Sequence, residues 1–420
     1  MSLRNLIVLL LLLITQFTFA QQWGVNTESE FTNEATDVTV DASGNSYVTG
    51  YITGQTAFTS NNVLNNALGN GDVYVAKYGP GGNLIWTKHF SGAMSDKPFG
   101  IEIDNNGDLI VAGYFSGELT LDGNTLNSVN NSRDIFFAKL DENGTVLWAK
   151  KDGGSGAENL YGLTIDSQNN IILTGQFKGD TEIGGQTFQS VYDPVNSTFS
   201  YDLFLVKYTP QGNPIWVERS EAIYEERGLS VGVDSQDNIF ISGQFSDTMI
   251  FAGQQINNNG YNVGFVSKLN SDGQIQWFNT LKAGMAVPYS LAINNAEEVI
   301  VTGDFRGTLY HTSSFGTSSL TNPHLEKIFA IKISNSGEEL WANAMGSDSE
   351  LSARTVDVDD SKNIFIAGHF KCALTELQTP STSLYNSVGG RDIFLWNMSN
   401  SGNNMITRQM GGKLNDYAYA

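Results

Sequence analysis

Only one cysteine, Cys372, occurs in 420 residues, so no intrachain disulfide can brace the fold and stability must come from burial. The four histidines, His89, His311, His324 and His369, show no His-Glu-x-x-His spacing, and neither a Gly-x-Ser-x-Gly elbow nor a phosphate loop is present. Metalloprotease, serine-hydrolase and nucleotide-hydrolysing chemistry therefore lack their signatures. Basic residues are scarce, with 23 Lys and Arg against 44 Asp and Glu and a net charge of −21. Such a chain is repelled by nucleic acid and by anionic lipid surfaces.

Long apolar runs are missing too, apart from "LIVLLLLLI" at 6–14, which is shorter than the roughly 20 residues of a membrane-spanning helix. With Arg4 before it and Thr18-Phe19-Ala20 after it, residues 1–20 read as an export signal. No cysteine follows to accept a lipid. The expected mature chain, 21–420, is soluble, and secreted or held on the outer cell surface.

What the chain has in abundance is repetition. "DASGNSYVTG" (41–50) returns as "DNNGDLIVAG" (104–113) and "DSQNNIILTG" (166–175), and the closing glycines, Gly50, Gly113, Gly175, Gly243, Gly303 and Gly368, lie 63, 62, 68, 60 and 65 apart. A second phrase, such as "DIFFAKLDENGTVLW" (134–148), recurs in every unit, the last time as "DIFLWNMSNSGNNMI" (392–406). Both phrases are β-branched and aromatic runs around a Gly/Asn/Asp turn, which is hairpin chemistry. Each unit thus has four strands, a to d. The step from the strand a marker to the strand b glycine is always nine, as is the step from the strand c lysine to the strand d tryptophan; only the b to c link varies, from 25 to 32.

Four antiparallel strands with two tight hairpins and a nearly fixed link predict a β-propeller blade. Six complete units are expected within 35–410. Trp23 stands 18 residues before Asp41, so "QQWGVNTE" (21–28) reads as a lone strand d, and "DYAYA" (416–420), aligning with "ENLYG" (158–162), starts a further repeat within 411–420. These ends predict a partial seventh blade, with strands b and c missing; a six-bladed ring with frayed ends is the alternative.

The phrases "VDASGNSYVTGY", "DIFFAKLDENGTVLWAK" and "GGSGAENLYGLTIDSQNNIILTG" resemble the exported bacterial seven-bladed β-propeller repeat family (SBBP-type repeats), common in Bacteroidetes. The resemblance spans 21–420 and implies fold and export rather than a particular activity.

Strand a carries paired apolar residues, from Val38 and Val40 to Val356 and Val358, with small residues such as Gly232 and Ala292 between them. They are expected to pack blade against blade. Trp86, Trp148, Trp216, Trp277 and Trp341 are expected in equivalent, largely buried sites, with Ile406 a smaller filler in the sixth unit.

Function is expected where the repeat is unconstrained. The b to c links bring Tyr192, Phe199, Tyr201, Tyr310 and Phe315 to one face, a composition suited to protein or carbohydrate contact. Eight residues before the strand a marker stand Asp96, Glu158, Glu226 and Asp416, which pseudo-symmetry is expected to place around the channel mouth as a negative funnel or divalent-cation site. "DVDDSKN" (357–363) starts like a calcium loop, but Gly368 stands where the twelfth-position Glu belongs, and no metal is assigned to it. The lack of catalytic motifs favours a non-enzymatic binding scaffold without a cofactor. The alternative is an extracellular glycan-cleaving enzyme, which would show two carboxyl groups facing each other across a deep, aromatic-walled pocket.

Overall fold

Each opening phrase folds as a hairpin because its Asp or Asn side chain organises the turn. Asp41 Oδ1 accepts the N–H groups of Ser43 and Asn45, both at 2.9 Å, and Asp104, Asp166, Asp234 and Asn294 do the same in their own units. The fourth turn residue has positive φ throughout, from Gly44 and Gly107 to Asn169, Asp237, Glu297 and Lys362. The last two are unfavoured residues there, tolerated because the Asp or Asn bonds fix the turn.

In the computed structural model, which describes residues 28–29, 33–65, 71–314, 316–321, 326–376, 383–413 and 415–419, six four-stranded antiparallel sheets follow one another. The strands a are Asn33–Val40, Lys97–Ile103, Ala157–Ile165, Arg227–Val233, Met285–Ile293 and Leu351–Val358; the strands b are Ser46–Ile52, Leu109–Ser116, Ile171–Lys178, Ile239–Phe251, Val299–Arg306 and Ile364–Phe370. The strands c are Asp72–Tyr78, Arg133–Leu140, Tyr201–Tyr208, Gln254–Leu269, Glu326–Ile333 and Asp392–Met398, and the strands d are Leu84–Gly92, Val146–Asp152, Pro214–Glu221, Ile275–Lys282, Glu339–Ser347 and Asn404–Met410. Pairing runs a–b–c–d in every unit, and each strand a packs against the strand a of the next. This is a β-propeller of six complete blades with strands a on the inside. Among the described residues there is no α-helix, and no helix long and apolar enough to cross a membrane.

The core lies between blades rather than within them. Tyr47, Val73 and Val75 of blade 1 are buried against Ile101, Val111 and Phe136 of blade 2, and Ile172 and Leu203 of blade 3 against Val231 and Ile241 of blade 4. Five of the strand a residues three before the marker are buried as expected, from Ile101 to Val356, but Val38 is 44% and Val40 58% exposed. The reason is directional. Leu163 and Val231 sit over Gly100 and Gly162 of the preceding blade, and no described blade precedes blade 1.

One feature was not legible in the repeat. Each b to c link contains an extra short hairpin, such as Glu118–Leu121 with Asn124–Asn127, which hydrogen-bonds to strand d of the preceding blade through Leu119↔Gly92 and Thr120↔Ser91. Glu28–Ser29 pairs in the same way with the blade 1 hairpin, at Ala57 and Thr56. At the other end, Asp416 N donates to Arg391 O at 2.7 Å, as Asp96 N does to Gly71 O at 2.9 Å. Residues 416–419 therefore occupy the start of a seventh inner strand, beside His369 and within reach of Glu34. Residues 1–20 and 21–27 lie outside the described residues.

The tryptophans hold successive blades together but are half-buried, not largely buried. Trp86, Trp216, Trp277 and Trp341 donate Nε1–H to the carbonyls of Glu142, Ser271, Asn335 and Asn400 at 2.9–3.2 Å, each in the c–d turn of the next blade. Their rings lie on turn glycines there, such as Gly144, Gly273 and Gly337. Their sites stay partly open because that turn lies at the rim. Ile406, at the equivalent place in blade 6, is 45% exposed.

Candidate functional site

The inner strands are irregular in one repeated way. The register shifts between Ala35 and Asp37, Pro98 and Gly100, Leu160 and Gly162, Gly228 and Ser230, Pro288 and Ser290, and Ala353 and Thr355. A bulge therefore leaves Thr36, Phe99, Tyr161, Leu229, Tyr289 and Arg354 unpaired, one per blade. Bulges re-aim side chains, and all six line a central channel of about 620 Å³, joined by Tyr419. The recurring strand b glycine is what permits the bulge. A Cβ on Gly50, Gly113, Gly175, Gly243, Gly303 or Gly368 would lie 1.9–2.2 Å from a strand a carbonyl oxygen, that of Asn159 in the case of Gly175.

Around this ring, aromatic faces and cationic groups alternate. The Phe99 ring packs on Tyr114 and Tyr161 at 5.7 and 5.8 Å, Lys97 lies over Tyr51 and Phe99, Arg133 over Tyr114, Arg354 over Tyr289 and Arg391 over Tyr417. Phe99, Tyr161 and Tyr289 are half-buried, and Tyr417 and Tyr419 are 38% and 39% exposed. Strand direction puts this belt toward the long-loop face.

Deeper in the channel, Asp37, Glu102 and Asp357 line the same cavity. Burial pushes Glu102 up to about 8, with Asp37 and Asp357 adding repulsion. Burial also raises Asp37, to about 6, against the pull of the Ile101 and Val38 N–H groups it accepts at 2.8 and 2.9 Å. The channel thus contains a carboxyl group that keeps its proton at neutral pH beside one that is largely ionised.

The residues expected at the channel mouth lie elsewhere. Asp96, Glu158 and Glu226 are fully buried between blades, because strand a enters the ring from beneath the neighbouring strand c. Burial raises Asp96 and Glu158 to about 8 and Glu226 to about 10, with repulsion from Asp72, Asp134 and Asp202 respectively. Asp416 is half-buried and accepts the Gly412 N–H at 2.8 Å. The four do not share one site.

Nor do the long-loop aromatics. Tyr192 and Phe199 form an edge-to-face pair at 5.4 Å in a small hairpin, with Tyr192 51% exposed. Tyr201 starts strand c of blade 3 and carries Lys178 over its ring at 5.2 Å. Tyr310 is two blades on, 47% exposed and paired with Lys282, and Phe315 lies outside the described residues. In "DVDDSKN", Asp359 serves the hairpin turn through Asn363, while Asp357 faces the channel. Among the described residues no group of three or more His, Cys, Asp or Glu side chains is placed to hold a metal ion.

The bulged ring escaped the sequence reading, although one signal for it exists. Five residues before each marker stand Phe99, Tyr161, Tyr289 and, in the unit begun at 416, Tyr419, each followed by Gly, Ser or Ala. Large beside small at a fixed register is what a bulge needs.

Comparison with known proteins agrees with a propeller-like repeat. An uncharacterised WD repeat-containing protein of Acanthamoeba polyphaga mimivirus is 33% identical over 142 residues, which is 32% of this chain and 10% of that protein. The repeat is of propeller type. The chain spans about a tenth of that relative's length. No known family profile matches the chain. A crystallised protein of unknown function from Bacteroides caccae is similar at a TM-score of 0.41 and 9% identity, over 80% of this chain and 90% of that one.

Proposed function

We propose that this chain is an exported, non-enzymatic propeller scaffold that receives a glycan or peptide chain at the long-loop end of its channel. The observation that carries the reading is the bulged ring, which brings Phe99, Tyr161, Tyr289 and Tyr419 to one half-open cavity among guanidinium and ammonium groups. Aromatic faces bind sugar rings and side chains through area and polarity together. A cavity of about 620 Å³ admits a chain end but no folded domain. Export rests on the pattern of residues 1–20.

The test is binding of the purified protein to a glycan array and to a peptide library, compared with Tyr161→Ala/Tyr289→Ala. A ligand set bound by the parent and weakened at least about tenfold in the double variant is expected. Binding unaffected by the double variant would move the site elsewhere.

A second reading, glycan cleavage, is favoured by one observation: Glu102 and Asp37 differ in proton affinity within an aromatic-walled channel, as an acid and its partner carboxylate must. Release of reducing ends from a bound polysaccharide, lost in Glu102→Gln, would replace the scaffold reading with this one.

A further inference from the structure

The buried carboxylates between blades follow a rule across the repeats. Five residues before the strand c lysine stand Asp72, Asp134 and Asp202, and the next unit opens on Asp96, Glu158 and Glu226; Asp392 likewise precedes Asp416. Where the next unit opens on Ala286 or Leu351, that place holds Val263 or Lys327. Strand d follows suit. Three residues after the tryptophan position it carries His89, Lys151, Arg219 and Gln409 beside the acid pairs, but Thr280 and Ala344 at the other two junctions.

The geometry explains the grouping. Strand c aspartates are held by donors: His89 Nε2 lies 2.8 Å from Asp72, Lys151 Nζ 2.9 Å from Asp134, and Arg219 3.9 Å from Asp202. Ser132 and Ser200 hydroxyls donate to Asp134 and Asp202 at 2.8 and 2.9 Å. Their partners are not so served. Among the described residues, both carboxyl oxygens of Glu158 and of Glu226, and Oδ2 of Asp96, are buried with no hydrogen-bond partner. An ionised carboxylate left so would cost several kcal/mol, whereas a proton on it satisfies an oxygen and removes the charge.

We propose that Asp96, Glu158 and Glu226 are protonated acids that close the junctions between blades 1 and 2, 2 and 3, and 3 and 4 by facing the strand c aspartates Asp72, Asp134 and Asp202, making this half of the ring alkali-sensitive. The charged groups acting on Asp96 are those of Asp72, on Glu158 those of Asp134 and Lys151, and on Glu226 those of Asp202 and Glu225; burial raises Asp202 itself to about 7 against the pull of Ser200, the Val191 N–H and Arg219, with Glu221 adding repulsion, and this group titrates in parent and variant alike. Among the described residues, Ser116 N–H, at 3.4 Å from Asp96 Oδ1, is the one donor in range of that group. Thr181 and the Gly154 N–H approach Glu158, and the Ser246 N–H approaches Glu226, without hydrogen-bond geometry. Lys151 and Arg219 already pair with Asp134 and Asp202, so at those two junctions a proton suits the remaining acid better than a divalent cation does.

The sign follows from the direction of the shifts. A carboxyl whose folded pKa lies above its unfolded value binds its proton more tightly when folded, so stability is full below the unfolded pKa and is lost as pH rises toward the folded one. The window runs from the ordinary carboxylate range up to about 8 for Asp96 and Glu158 and about 10 for Glu226. Within it, each group lowers the folding equilibrium constant roughly tenfold per pH unit.

The experiment is chemical unfolding of the parent and of Glu158→Gln/Glu226→Gln between about pH 6 and pH 9.5. The variant is expected to lose less stability over that range, by roughly a hundredfold per pH unit in the lower part where both groups titrate. Infrared spectra of the parent alone, at about pH 7, are expected to show a buried carboxylic-acid carbonyl band, which keeps the test open should the variant not fold. Equal pH slopes in parent and variant, or no acid band in the parent, would overturn the proposal. So would saturable stabilisation by calcium that the variant lacks, which would make the junctions cation sites.

Discussion

Replacing Gly175 by Ala is the sharpest test of why the repeat keeps its glycine. The residue does not have positive φ, so a methyl group costs nothing in backbone strain and by chain entropy alone should stabilise by about 0.5 kcal/mol. Space decides otherwise. The new Cβ would stand 2.0 Å from Asn159 O and 2.8 Å from Phe204 Cε1, while ordinary contact begins at 3.4 Å, so the backbone oxygen must yield by about 1.4 Å. That oxygen belongs to the bulge that sets Tyr161, and overpacking of this kind costs about 3 kcal/mol. Gly232→Ala is the matched control, because its Cβ meets only the side-chain ends Leu291 Cδ1 and Ile293 Cδ1, at 3.0 and 3.1 Å. These can swing aside, and less than about 1 kcal/mol is expected. For a chain of 420 residues, unfolding entropy near 0.9 kcal/mol/K turns 3 kcal/mol into a fall of about 3 °C in Tm. Differential scanning calorimetry of both variants reads this directly. Equal melting temperatures would show that the glycine is kept for some reason other than the bulge.

Two further expectations concern the blade junctions. Trp216→Phe removes the Nε1–H bond to Ser271 O at 3.1 Å and should cost about 1 kcal/mol, with Trp216→Ala nearer 3 because the ring is only half-buried; urea midpoints with unchanged m-values check both, and loss of m would instead mean that the blades separate. Lys268→Met leaves buried Asp234 without the ammonium 2.8 Å away. Burial pushes that carboxyl up, and Lys268 and Asn238 at present outweigh it and hold it below the usual range. The variant should lose about 3 kcal/mol and raise the Asp234 pKa, measurable by carbon-13 titration of the side chain; an unchanged pKa would mean that Asn238 and the turn amides suffice.

Much of the architecture was legible in the chain because propeller blades are made by local chemistry. A marker Asp or Asn that collects two turn amides, a β-branched run and a fixed nine-residue step need no knowledge of distant residues. What pseudo-symmetry alone could not supply was depth. Asp96, Glu158, Glu226 and Asp416 recur at one position of the repeat, but equal height around a ring does not say whether a side chain faces the channel or the gap between blades. The aromatics of the long links were legible as exposed candidates, yet the extra hairpins tie those links to the preceding strand d and spread the residues over several blades. Val38 and Val40 read as core, and are exposed because burial there is given by a neighbour and not by the strand itself.

The unit, the strand order within it and the turns are settled locally, since all three follow from residues closer together than one repeat. Which atoms face each other across the ring depends on long-range packing. The bulge that turns Phe99, Tyr161 and Tyr289 into one cavity, and the pairing of Asp134 with Glu158 from successive units, arise when blades close around a common axis. That closure is long-range packing, and in it the physical meaning of a repeated letter is set by the neighbour it meets.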